Sequence, residues 1–469
     1  MVGRDEEIAL FTKNYNSEKS EFVAVFGRRR VGKTFLIRSF FQDKYTFHLT
    51  GIANADLTEQ LDNFHFAFQN QHPKINSTKP ESWLEAFRQI QKCITRSKQK
   101  KKVIFIDELP WFDTPKSNFI RALEHFWNSW ASARTDIVLV VCGSAASWMI
   151  NKLINNRGGL HNRVTQRIKI EPFTLKECEQ YSNFKKMNLG HYQIIQLYMV
   201  LGGIPYYWDE VVKGLTATQN INAICFSKNG LLRIEFNNIF KSLFNKAEKH
   251  ELVVATLAKK TKGFTRKEII EDSKISDGGG LSTILKELEE SGFIRKYIPF
   301  NKKLRDSLYQ LTDFYTLFYM NFIQNHQLTD KDFWIKAIDS PKHRAWSGYS
   351  YEQVCLYHLD QIKKALGISG IITNTSSWRS KNLENGVQID LVIDRRDQAI
   401  NLCEMKFSIN KFEIDKKCDE DLRNKVGTFC TETKTRKSVF MTMITTFGLQ
   451  NNQYSGNVQN DLNMDILFE

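Results

Sequence analysis

The sequence predicts a multidomain α/β protein, and three observations carry that expectation. Short apolar runs alternate with helical patterns through the first third of the chain. One of those runs leads into a glycine-bounded loop that ends in Gly-Lys-Thr. The last third holds two β-like runs around a tight turn, and both carry acidic residues. Strands alternating with helices imply a parallel sheet with both faces covered. At 469 residues, with 42% apolar and 25% charged side chains, the chain has the material for several separate cores and is not a disordered polymer.

Taken in order, residues 22–26, 103–106 and 137–142 read as buried strands, the last ended by Gly143 and Ser144. Residues 177–247 are helical in pattern, broken at Gly202-Gly203-Ile204-Pro205. Residues 251–259 and 265–274 form two more helical patterns, followed by a glycine-rich turn at 277–280 and a third helix at 281–290. Two short β-runs, 293–298 and 307–311, flank Asn301-Lys302-Lys303. Three helices and a hairpin make a winged-helix pattern. Residues 311–323 are aromatic and suited to packing between domains. A helix over 349–365 then leads into strands at 387–394 and 399–407, and the Asn-rich stretch 451–463 reads as loop. The expected domains are 1–176, 177–247, 248–312, 313–345 and 346–469.

Composition excludes several classes. No apolar run approaches the ~18–20 residues that cross a bilayer, and the first residues lack the pattern of a secretory leader. The eight cysteines include no C-x-x-C pair, which argues against a zinc ribbon or a disulfide framework. A reducing cytoplasm is the expected location. The net charge of +14 favours a polyanionic partner, and the positive excess falls ahead of residue 346. Its densest run is Lys98, Lys100, Lys101 and Lys102, which reads as a solvated lead-in to a strand or as a basic patch.

Gly27-Arg28-Arg29-Arg30-Val31-Gly32-Lys33-Thr34 fits G-x-x-x-x-G-K-[ST], with a strand before it and a helix after it. Glycines let backbone N–H groups approach phosphate, and the helix N-terminus adds partial positive charge. Lys33 can reach the β- and γ-phosphates of ATP or ADP, and the Thr34 hydroxyl can ligate Mg²⁺. Residues 103–106 end in Asp107 and Glu108, at the edge where α/β sheets place ligands. Asp107 is expected in the Mg²⁺ shell and Glu108 beside the attacking water. Ser144 is either a sensor of the γ-phosphate or a plain strand-end turn.

In the last third, Asp390 and Glu404 each sit about four or five residues from one turn, which brings them together if the two strands form a hairpin. Glu404 and Lys406 share a strand face. Two carboxylates can hold a divalent cation, Mg²⁺ or Mn²⁺, and a neighbouring lysine can position water or stabilise developing charge on phosphorus. Glu352, on the preceding helix, is a further candidate ligand. Trp378, Arg379 and Lys381 are candidates for a substrate groove, or ordinary loop residues.

These features together resemble the archaeal-type ATPases of the STAND group of P-loop NTPases. The opening Val2-Gly3-Arg4-Asp5-Glu6-Glu7, the arginines inside the phosphate loop and Asp107-Glu108-Leu109-Pro110-Trp111 all carry the likeness. So do Arg163-Val164-Thr165, although His161-Asn162 stands where a glycine is expected, and Gly203-Ile204-Pro205. The resemblance implies a P-loop NTPase parallel sheet, a helical lid, a winged helix and a C-terminal restriction-endonuclease-like α/β domain. It implies contact of Pro205 near the nucleotide base. Arg157, Arg163 or Arg167 would be an arginine finger or sensor, or simply solvating residues. It also maps Glu352, Asp390 and Glu404-x-Lys406 onto the PD-(D/E)xK nuclease core, for which Gln388 is a further likeness. The expected activity is ATP hydrolysis that controls a metal-dependent DNA nuclease, in a chain able to form a nucleotide-dependent homo-oligomer and not bound to a membrane. Two alternatives stay open: a signalling ATPase that binds a protein partner and cuts nothing, and a DNA-binding regulator. The third helix, 281–290, holds three Glu against one Lys and would face phosphate badly. Arg295, Lys296, Lys302, Lys303 and Arg305 of the hairpin are the better DNA candidates.

Overall fold

The computed structural model describes residues 2–155, 158–244, 246–326, 330, 332–380 and 386–469. Two compact units divide the chain, 1–172 and 173–469. The four expected domains after the first lie within the second unit. Among the described residues no helix is long and apolar enough to cross a membrane.

The first unit opens with α1 (Asp5–Tyr15) and β1 (Glu21–Gly27), followed by α2 (Lys33–Phe41), β2 (Tyr45–Thr50), α3 (Leu57–Gln71) and α4 (Trp83–Arg96). Then come β3 (Lys102–Asp107), α5 (Phe119–Ser129), β4 (Ile137–Gly143), the short α6 (Ala146–Trp148) and β5 (Gln166–Ile170). All five strands are parallel, in the order β2-β3-β4-β1-β5. The three central strands are the three continuous apolar runs, buried along almost every residue. Trp83, Phe87, Ile90 and Ile94 recur at helical spacing on α4 and cover the sheet together with Phe119, Leu123 and Phe126 of α5. The parallel register brings the ends of β1, β3 and β4 to one sheet edge.

The second unit begins with helices α7 (Leu175–Phe184), α8 (His191–Leu201), α9 (Pro205–Trp208), α10 (Ala217–Phe226) and α11 (Glu235–Leu243). A smaller body follows, of α12 (Ala247–Ala258), β6 (Phe264–Thr265), α13 (Arg266–Ser273), α14 (Gly279–Glu290), β7 (Ile294–Tyr297) and β8 (Leu308–Leu311). Its strands pair in the order β6-β8-β7, all antiparallel. Buried α15 (Phe314–Phe318) and α16 (Phe333–Ala337) lead to α17 (Pro341–Tyr357) and α18 (Leu359–Ala365). The helix expected over 349–365 is thus two helices that meet at His358, whose buried ring bonds the Val354 carbonyl and the Leu175 N–H.

The last sheet holds β9 (Thr373–Arg379), β10 (Gln388–Arg395), β11 (Ala399–Lys406), β12 (Ser438–Thr445) and β13 (Asn460–Leu462), with α19 (Lys416–Thr433) between β11 and β12. Its order is β13-β12-β11-β10-β9. β10 and β11 form an antiparallel hairpin, whereas β11, β12 and β13 run parallel. The Asn-rich stretch expected as loop contributes β13, because Asn460 to Leu462 complete the edge beside Thr442 to Ile444. One core cluster includes Ile389, Val392, Ile400, Leu402, Met441 and Met443 of the sheet with Leu422 and Phe429 of α19.

Candidate functional site

β1 ends at Gly27, where the chain turns back through the loop to α2. Gly27 has φ +147°, and a Cβ there would lie 2.3 Å from the Ile170 carbonyl oxygen, so only glycine fits. Arg30 and Gly32 also take positive φ, and Gly32 stands at the N-terminus of α2. Lys33 is buried and donates to the Gly27 and Arg28 carbonyls at 3.0 and 2.7 Å. Burial lowers its pKa, against the opposing pull of Cys142, Glu108 and Asp107. The Thr34 hydroxyl stands 3.1 Å from both oxygens of Asp107. Burial, with Glu108 adding to it, raises the Asp107 pKa, while the Thr34 and Cys142 hydrogen bonds oppose the rise. Glu108 adopts a left-handed backbone at φ +51°, a conformation that costs a non-glycine residue roughly 1 kcal/mol. Its carboxylate accepts from the Ser144 hydroxyl at 2.8 Å and from the Ser144 N–H at 3.3 Å. Lys33, Thr34, Asp107, Glu108 and Ser144 therefore converge on one sheet edge.

A second constellation lies within the second unit. The β10–β11 register pairs Leu391 with Cys403, and one step further sets Asp390 opposite Glu404. The Gln388 amide donates to Asp390 at 2.8 Å. Glu404 is buried, with Lys406 at 2.8 Å on one oxygen and Lys425 of α19 at 2.6 Å on the other. Burial opposes its ionisation, but the two ammonium groups prevail and lower its pKa. Glu352 of α17 lines the same cleft of about 1510 Å³ as Asp390, Glu404, Lys406 and Lys425. Burial, then the charges of Asp390 and Glu404, push the Glu352 carboxyl up to about 8. Asp390 is raised by burial and by Glu404. Among the described residues no group of three or more His, Cys, Asp or Glu side chains is gathered as a ready-made metal cage. The expected set of Glu352, Asp390 and Glu404 lines a cleft instead, because Glu404 is turned to its two lysines.

Comparison with known proteins bears on the first constellation. Residues 1–211 match the family described as an ATPase domain predominantly from Archaea. This region is an archaeal-type P-loop ATPase domain. Over 431 residues the chain is 24% identical to an uncharacterized protein of Methanocaldococcus jannaschii, MJECL04, covering 90% of this chain and 91% of that one. A 43-residue stretch is 42% identical to an uncharacterized ATP-binding protein of the same organism, MJ0423, covering 9% of this chain and 73% of that one. Among solved structures, the Walker-type ATPase PABY2304 of Pyrococcus abyssi superposes with a TM-score of 0.50 at 14% identity, over 68% of this chain and 96% of that chain. That similarity is one of fold.

The remaining expected residues of the ATPase domain fall in different places. Arg28 is buried in the loop, whereas Arg29 and Arg30 are partly exposed. Arg163 is exposed in the segment before β5. Thr165, two residues on, bonds Phe22 at the start of β1, so Arg163 stands at the sheet edge opposite the phosphate loop and is not gathered with Lys33. Arg167 is exposed on the edge strand β5, and Arg157 lies outside the described residues. Pro205 opens α9 in the second unit, inside the region of the family match. Within the Lys98–Lys102 run, Lys98 and Lys100 are exposed. Lys101 is buried on the Lys19 and Thr135 carbonyls, and Lys102 pairs with Asp136 at 2.9 Å. Three residues escaped the sequence reading of the sites. Arg4 donates to the Val31 carbonyl at 3.2 Å and so braces the phosphate loop; its place in the opening motif was the available signal. Cys142 and Lys425 reach Asp107 and Glu404 only through the fold. Trp378 packs on Phe429 in the core, and Lys381 lies outside the described residues.

Proposed function

We propose that the chain is a Mg-ATP-dependent switch whose ATPase domain controls metal-dependent cleavage of DNA in the C-terminal cleft. The observation that carries this reading is the pairing of Asp390 with Glu404 across the β10–β11 hairpin, with Glu352 and Lys406 lining the same cleft, in a chain that also carries the phosphate loop.

In the ATPase domain, ATP would lie along the 27–34 loop, its phosphates meeting backbone N–H groups at the start of α2. Lys33 would exchange its carbonyl partners for phosphate oxygens. Thr34 and Asp107 fit a hard divalent ion, being adjacent oxygen donors with a carboxylate that burial leaves short of compensating charge. Glu108, fixed by Ser144, would orient the attacking water.

In the C-terminal cleft, the donor set likewise fits a divalent ion. Glu352, Asp390 and Glu404 are all oxygen donors, and burial, with the charges of Asp390 and Glu404 adding to it, drives Glu352 toward protonation unless positive charge is added. When bound there, the ion would supply Lewis acidity at phosphorus. Gln388 fixes Asp390, and Lys406 stands where it can hold a proton or stabilise charge on the phosphoryl oxygens. The 247–311 body has the composition of a winged helix, and its basic hairpin suits the same polyanion. The direct test is cleavage of plasmid and linear DNA with Mg²⁺ or Mn²⁺, with and without ATP, by wild type, Lys33→Ala and Asp390→Ala/Lys406→Ala. Loss of cutting in the double variant supports the nuclease, and ATP hydrolysis without any cutting refutes it for these substrates.

A further inference from the structure

The cleft that holds the carboxylates is not built by the last sheet alone. Lys262, Arg295, Lys296, Tyr297 and Gln310, all from the α12–β8 body, line it too. A second hollow of about 480 Å³ lies beside it, and Lys262, Tyr297, Ser377 and Gln388 border both. The two spaces are therefore neighbours along one groove. It runs from Glu404 and Lys425 at one end to Asn301, Lys302 and Arg379 at the other.

The β7–β8 ribbon is fixed to the last sheet along this groove. The Phe300 N–H donates to the Ser377 carbonyl of β9 at 2.7 Å, and the Phe300 ring packs on Phe429 of α19 at 5.3 Å. The Tyr297 hydroxyl donates to the Lys262 carbonyl at 2.8 Å, which ties the 260s turn to the ribbon. Lys262 itself is exposed, and its ammonium has no ion-pair partner among the described residues. It lines both hollows, as does Gln388, which bonds Asp390. A lysine without an ion-pair partner at the border of a carboxylate-lined cleft, with Lys302 and Arg379 lining the hollow beside it, suits a ligand that carries negative charge at repeated intervals. A small phosphate ester would occupy only part of the cleft of about 1510 Å³ and none of the second hollow. A nucleic-acid backbone would use both.

We propose that the ribbon of the α12–β8 body is a fixed wall of a nucleic-acid groove, and that Lys262 holds a backbone phosphate beside the Asp390–Glu404 centre. This rests on the nuclease reading for the identity of the polymer, but its test does not require cleavage. The body would then serve as part of the substrate groove, and not as an independent reader of DNA through α14.

The experiment measures binding of full-length protein to a labelled DNA strand and to its duplex by fluorescence anisotropy, in EDTA, across a salt series. Lys262→Ala is expected to weaken binding about fivefold at low salt and to reduce the log–log salt slope by about 0.9 on duplex or 0.7 on single strand, the share of one phosphate contact. Lys262→Glu should weaken it further. Lys213→Ala, an exposed lysine elsewhere in the second unit, should match wild type. Wild-type affinity and slope in Lys262→Ala, or no binding by wild type at the lowest salt, would overturn the proposal. Adding Mn²⁺ to wild type separates the two readings. Lys262-dependent binding without cleavage leaves the groove standing and removes the nuclease. Cleavage that is indifferent to Lys262 does the reverse.

Discussion

Glu352 offers a test of the cleft that needs no substrate. Its carboxyl is raised from 4.5 to about 8, by burial first and by Asp390 and Glu404 next. In the unfolded chain the same group ionises near its ordinary value. Between roughly pH 4.5 and 8 the folded protein therefore keeps a proton that the unfolded chain has lost, and stability must fall as pH rises through that window. For this group alone, integration between pH 6 and pH 8 gives a loss of about 2 kcal/mol. Glu352→Gln keeps the shape and removes the titration. The variant should therefore lose less stability than wild type across that interval, with the gap opening toward pH 8. Urea unfolding of both proteins in EDTA at pH 6, 7 and 8, followed by a probe on the second unit, reads the difference directly. Parallel pH dependence in the two proteins would refute the claim that three carboxylates crowd this cleft. Divalent cation should shrink the difference, since added positive charge favours the ionised carboxylate.

Lys33→Ala should reduce ATP hydrolysis by at least about 100-fold in a phosphate-release assay, because the loop loses the lysine that meets the β- and γ-phosphates in such loops; retention of half the activity would exclude Lys33 from the site. Gly27→Ala should destabilise the first unit by about 2–4 kcal/mol in thermal denaturation, since a Cβ there meets the Ile170 oxygen at 2.3 Å; an unchanged midpoint would contradict that packing. Arg4→Ala should weaken nucleotide binding about fivefold in a titration with a fluorescent nucleotide, through loss of its bond to the Val31 carbonyl, and unaltered affinity would remove the brace. Lys425→Ala should strengthen Mn²⁺ binding about 5–30-fold by calorimetry, since it frees one oxygen of Glu404 and removes a nearby positive charge; weaker binding would show that Lys425 organises the site and does not compete for it.

What was legible in the sequence follows a physical pattern. The central strands β1, β3 and β4 are covered on both faces, so they appear as unbroken apolar runs. In the first sheet the two strands that were not anticipated, β2 and β5, are its edges, and their alternating exposure in residues 47–50 and Gln166–Ile170 mixes polar with apolar residues. β9, with Thr373 to Ser377 in its sequence, is likewise an edge strand. The phosphate loop was legible because its chemistry is local: eight consecutive residues hold the glycines, the lysine and the hydroxyl. Asp107 and Glu108 were legible through the strand that ends in them. Partners that act across the fold were not. Lys425 is 21 residues from Glu404 on a helix that carries charges of both signs, and nothing in its local pattern sets it apart.

Net charge and local charge say different things about the last domain. The segment from residue 346 onward is close to neutral overall. In the folded unit that balance is distributed unevenly. Lys406 and Lys425 are spent on one carboxylate, Glu404, while Glu352 and Asp390 are left with a deficit of positive charge that burial amplifies. Lys262, which lines the same cleft and has no ion-pair partner among the described residues, comes from a different part of the chain, more than eighty residues before residue 346. The electrostatics of the cleft thus belong to the junction between the ribbon and the last sheet. A sheet excised at residue 346 would keep the carboxylates and lose Lys262, so under the proposed nucleic-acid groove its affinity for a phosphate backbone should be lower than that of the full chain.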